Sequence, residues 1–126
     1  MWRRCVVPPP REVEAPLITL FGEAVREVRV IEHSLFARLH LGAVATTRRG
    51  TIYLSGSAAD FFANPALVLH EYCHVVTQWG PGRLTSAGYL LECVKRGYWD
   101  NRFEVEAREF AQSNLHRYRV LLSRQP

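Results

Sequence analysis

A chain of 126 residues that is 48% hydrophobic, 22% charged and 11% aromatic has the make-up of one ordinary globular domain. Eight Gly and seven Pro are too few for a linker or collagen-like chain, and no stretch approaches the roughly 20 apolar residues of a membrane helix. The net charge of +4 comes from basic residues scattered singly or in pairs, which points to a solvated mixed surface rather than a nucleic-acid interface.

The opening Met1–Pro10 carries Arg3 and Arg4 but no apolar run behind them, so no secretory signal and no membrane partner are expected, and a cytoplasmic location is. Pro8, Pro9 and Pro10 favour polyproline geometry; residues 1–13 read as an extended arm and 14–126 as a single domain. Cys5, Cys73 and Cys93 are odd in number and form no CxxC, in keeping with a reducing compartment. Leu17, Leu20, Phe21, Ala24 and Val25 recur at helical spacing and predict a helix from about Ala15 to Arg26. Val28 and Val30 alternate with polar neighbours and suggest a strand, while Ser34 to His40 could be a short helix. Ala43 to Ser55 reads as a β-hairpin, with Arg48-Arg49-Gly50 as its turn. Asn64-Pro65 is a helix start, and the helix that follows is apolar on nearly every face until Gly80-Pro81-Gly82 breaks it. A second helix fits Thr85 to Lys95 with Gly97 as its stop, and a third fits Asn101 to Leu122.

Inside the apolar helix lies His70-Glu71-Tyr72-Cys73-His74, an HExxH pattern. Residues four apart on a helix stand one turn apart on nearly the same face, so both imidazoles can reach one metal ion. Glu71 stands beside that face and can serve as a general base without being a ligand. Two His and one Glu left unpaired in an apolar helix would each cost roughly 1–3 kcal/mol, a cost that a metal removes. No third His follows closely, since Thr77 and Gly80 hold those positions and His116 is the only later one. The better third ligand is Glu104, which shares a stripe with Ala107 and Ala111; these small residues allow close packing against the HExxH helix. Glu106 points away, towards solvent or a neighbouring Arg, and Glu109 reads as a surface residue.

HExxH followed on a later helix by Glu-x-x-Ala-x-x-Phe-Ala resembles the glutamate-zincin metallopeptidases. It is similar in particular to small bacterial zincin-like domains and to the metallopeptidases that cleave repressors in stress and phage regulation. The resemblance covers about residues 43–111. It implies an α+β fold in which a small antiparallel or mixed sheet packs on the active-site helix and two further C-terminal helices. It also implies His70, His74 and Glu104 as ligands of Zn²⁺, Glu71 as the base, and a strand before the active-site helix as a cleft edge that pairs with extended substrate. One departure stands out: where thermolysin-like enzymes place an Asp four residues after the ligand glutamate to support a histidine, this chain has Arg108.

The expected activity is zinc-dependent hydrolysis of peptide bonds in a protein or peptide substrate. Tyr89, Tyr98, Arg102 and His116 are possible donors to the scissile carbonyl. Cys73 reads as a small buried hydrophobe, His33 and His40 as ordinary surface or core residues, and Trp2, Trp79 and Trp99 as packing groups or cleft walls. The alternative is a zinc-stabilised protein-interaction module with little or no proteolytic activity.

Overall fold

The computed structural model describes residues 6–35, 37 and 45–124. Pro10, with φ −54° and ψ 144°, holds the polyproline geometry of the arm and leads directly into helix α1, Arg11–Phe21. The arm is therefore shorter than residues 1–13: Glu12 and Glu14 occupy the first helical turn, where carboxylates favour the helix dipole, and Val13 is buried. At the other end α1 stops at Gly22 (φ 91°), short of Arg26, and the chain continues as a 3₁₀ turn over Glu23–Glu27.

Three strands follow: β1 (Arg29–Ile31), β2 (Ala45–Arg48) and β3 (Thr51–Leu54). The expected hairpin is present, with Arg48 paired to Thr51 and Gly50 taking the positive φ of 73° that the tight turn requires. β1 joins it in parallel, giving a mixed sheet of order β1-β3-β2 among the described residues. Val6 bridges to Ile31, so the arm lies along the outer side of β1, whereas β2 forms the opposite edge. The segment expected to be a short helix, Ser34 to His40, falls largely outside the described residues, as do Ala43, Val44, Trp2 and Cys5.

Short helix α2 (Ala58–Phe62) is capped by the Ser57 hydroxyl, which accepts from the Asp60 N–H. Helix α3 (Pro65–Tyr72) starts as its residues dictate, with Pro65 in the first turn and Asn64 Oδ1 accepting from the Leu67 N–H at 3.3 Å. Beyond Tyr72 the same helix widens into a π segment, Cys73–Trp79. Its end depends on Gly80 for room rather than for φ, because a Cβ there would sit 2.8 Å from the Val76 carbonyl oxygen.

Helix α4 (Ser86–Asp100) is capped by Thr85 and interrupted at Gly97, whose φ of 77° breaks the helix without ending it. Asn101, fully buried, then caps helix α5 (Arg102–Ser123) by accepting from the Phe103 N–H at 2.9 Å. Its Nδ2 donates to the Tyr89 carbonyl and Cys93 Sγ, tying the start of α5 to α4.

The core gathers Leu17, Val30, Ile52, Leu54, Val68, Leu69, Tyr72 and Tyr118 from α1, the sheet, α3 and α5. Phe103, Ala107 and Ala111 are buried as well, and the two alanines form the small-residue stripe that lets α5 lie close to α3. The fold is thus α+β. Leu90, Leu91 and Val94 form an uncovered apolar stripe on the outer face of α4. No helix among the described residues is long and apolar enough to cross a membrane.

Candidate metal centre

His70 and Glu71 occupy the last turn of α3, and His74 is the second residue of the π segment. The two imidazoles meet edge to face, with ring centroids 4.9 Å apart and Nε2 atoms 3.2 Å apart. The α5 stripe brings Glu104 between them: its Oε1 lies 2.9 Å from His70 Nε2 and 3.1 Å from His74 Nε2. His70, His74 and Glu104 each offer one donor atom within 4.8 Å of the others, and this trio can hold a metal ion. The pattern of helical spacing and the α5 stripe thus converge on one place. Cys73 is buried but not part of the trio; its thiol lies 3.2 Å from the Thr77 hydroxyl, which itself donates to the Cys73 carbonyl.

The second oxygen of Glu104 is occupied. Tyr89, on α4, donates its hydroxyl to Oε2 at 2.6 Å, leaving Oε1 as the atom facing the histidines. Of the four side chains considered as donors, Tyr89 is therefore the one bonded to the trio. Tyr98 is exposed, yet partial burial and the charges of Glu104 and Glu71 push its pKa up to about 12, which places its hydroxyl within their field. Arg102 lies 5.1 Å over the Phe103 ring and beside Glu92, and His116 is exposed, about 18 Å farther along α5 than Glu104 by helical rise. Arg108 stacks over the Trp99 ring at 3.8 Å, while the Trp79 indole donates to the Thr47 hydroxyl and ties β2 to the π segment.

Sequence reasoning missed Gln78. Four residues past His74 and fully buried, it brings Oε1 to 2.6 Å from His74 Nδ1. The usable signal was the same i, i+4 spacing that pairs His70 with His74. Glu106 points away from the trio towards a neighbouring Arg, as expected, and that neighbour is Arg83, at 2.7 Å.

Burial sets the electrostatics. It drives the Glu71 carboxyl well above the usual 4.5, against the opposing pull of His74 and His70 and with help from the like charge of Glu104. For Glu104 burial also pushes upward, but hydrogen bonds from His70 and His74 prevail and hold the carboxyl below 4.5. Burial pulls His74 down, yet its bond to Glu104 and the charges of Glu104 and Glu71 outweigh it and hold the imidazole above 6.5. Two carboxyls within one small site are thus pushed in opposite directions, one kept ready to carry a proton and the other kept anionic.

No family model, curated protein or solved structure matches the chain.

Proposed function

We propose that the protein is a zinc-dependent metallopeptidase of the glutamate-zincin kind, acting on an extended protein or peptide segment. The observation that carries this reading is the pairing of an intact ligand trio, His70, His74 and Glu104, with a buried adjacent carboxyl of raised pKa, Glu71. Two imidazole nitrogens and one carboxylate oxygen are a donor set that suits Zn²⁺ and leaves a position open for water or substrate. Zinc bound there would lower the pKa of a water towards about 7 and polarise a scissile carbonyl. Glu71 takes the proton of the attacking water and returns it to the leaving amine, the task for which a raised carboxyl pKa is suited. Tyr89 holds Glu104 by its outer oxygen and so keeps the inner one presented. β2, at the sheet edge and tied to the π segment through Thr47 and Trp79, supports the reading of a cleft edge on which extended substrate adds a strand.

The test is cleavage of a peptide library by the purified chain. Hydrolysis that stops with chelator and returns with zinc is the expected outcome; none at any zinc concentration sinks the enzyme reading. The uncovered α4 stripe of Leu90, Leu91 and Val94 favours a second reading, a zinc-stabilised interaction module. That reading predicts zinc binding without cleavage.

The same site gives a pH prediction for the zinc-free protein. His74, raised above its ordinary 6.5, contributes stability that is fully present below that value and lost as pH climbs through its folded-state pKa. Glu71, raised above 4.5, acts in the same direction, whereas the Glu104 contribution is present above 4.5 and lost on acidification. Zinc supplies at neutral pH the positive charge that protons supply below it. Thermal melts with zinc and with chelator should therefore show a stabilisation by zinc that grows between about pH 6 and about pH 8. An increment that does not change over this range contradicts the assignment.

A further inference from the structure

A fully buried primary amide is tolerated when its donors and its acceptor are all matched, and Gln78 meets that condition. Its Nε2 lies 2.9 Å from the Phe103 carbonyl oxygen and 3.0 Å from Glu106 Oε1. Both oxygens are acceptors, so the NH₂ group faces them and Oε1 faces His74. An amide oxygen cannot donate. His74 Nδ1 therefore carries the proton of the 2.6 Å bond, and Nε2 is the nitrogen turned towards Glu104 and His70. Glu106 is itself held from outside, because the two terminal nitrogens of Arg83 donate to its two oxygens at 3.1 and 2.7 Å.

We infer that Arg83, Glu106 and Gln78 form a relay that positions His74 as a metal ligand, with Gln78 the positioning residue and the Arg83–Glu106 pair its anchor. The inference rests on the metal-centre reading above and adds the means by which the ring nitrogen that binds is chosen. The relay gives His74 an outer partner without setting a carboxylate directly against the ring. An amide is what the surroundings demand, since a carboxylate at position 78 would turn oxygen against both the Phe103 carbonyl and Glu106. The consequence reaches the surface: Arg83 and Glu106 side chains are 51% and 39% exposed, so metal retention is coupled to a solvent-accessible ion pair.

The experiment is competition for zinc against a chromophoric chelator, together with ¹⁵N-histidine NMR of the zinc-loaded chain. The wild type is expected to show an exchange-protected His74 Nδ1–H. Gln78→Met should abolish that signal and weaken zinc by roughly 10–100-fold, the usual cost of losing an outer partner of a ligand histidine. Glu106→Ala, which leaves Gln78 in place but removes one of its acceptors, should weaken zinc by less than roughly 10-fold and broaden the same signal. If Gln78→Met does not fold, Glu106→Ala decides alone. Wild-type zinc affinity in the folded variants, or a wild-type His74 that lacks the Nδ1 proton when zinc is bound, overturns the relay. Failure of the wild type to bind zinc overturns the metal centre itself, a result distinct from tight binding that the variants leave unchanged.

Discussion

Glu71→Gln will keep its zinc and lose peptide hydrolysis. Glu71 is not one of the three residues that can hold the ion, so the donor set is untouched, and Gln has nearly the same shape in the same buried place. What disappears is the ability to accept a proton. General acid–base catalysis by one positioned group contributes typically about 10²–10⁴-fold, so kcat should fall by at least that range with the zinc stoichiometry unchanged. The substitution also removes a carboxyl whose charged form burial disfavours. At neutral pH the zinc-free variant should therefore melt no lower than the wild type. Cleavage within tenfold of wild type would falsify the role given to Glu71 while leaving the metal site intact.

Glu104→Ala has the largest expected effect on the metal. It takes away one of the three residues that can hold the ion and, at the same time, the acceptor of the Tyr89 hydroxyl and the common partner of both histidines. The loss of zinc affinity should exceed the roughly 10–100-fold that removal of an outer partner costs. Because a ligand that binds only the folded state stabilises it by RT ln(1 + [L]/Kd), zinc at a concentration that stabilises the wild type should raise the melting temperature of this variant far less. Glu106→Ala is the control: it lies two residues away, contacts Gln78 and Arg83 instead of the histidines, and should still take up zinc at saturation. Equal zinc content in Glu104→Ala and wild type, measured on protein without a His-tag, removes Glu104 from the ligand set.

Much of the architecture could be read from local chemistry. Asn64-Pro65, the Gly80-Pro81-Gly82 break and the Gly50 turn each name a backbone geometry that few other residues accept, and each stands where expected. That Glu104 joins the two histidines was legible because Glu104, Ala107 and Ala111 share one helical stripe, whose small residues allow close packing against α3. The boundaries that moved did so for equally local reasons. Apolar periodicity places α1 too far along the chain, because its first turn is mostly charged (Arg11, Glu12 and Glu14 around the buried Val13) and the apolar positions Ala24 and Val25 lie beyond Gly22 in the 3₁₀ turn. Gly97 marks a break in backbone geometry, but the chain resumes its helix as far as Asp100, so a strong stop signal became a kink. The partners of Tyr89 and Gln78 were not legible, although Tyr89 stands among the candidate donors and i, i+4 spacing places Gln78 near His74. Their roles depend on where α4 and α5 cross the π segment, and that depends on contacts between residues far apart in sequence.

The π segment carries a wider meaning. A helix of i→i+5 hydrogen bonds is rarer and locally less favourable than the α-helix that would otherwise continue from α3. Here it coincides with a buried Glu71, a buried Gln78 and a buried Glu104, each of which is costly in isolation. The sheet shows no comparable conflict, with Val30, Ile52 and Leu54 inside and a well-matched hairpin turn, whereas α1 carries Pro16 in its interior. An uncommon backbone and several buried polar groups thus meet at one place in the fold, a set of local conflicts that a bound cation would relieve.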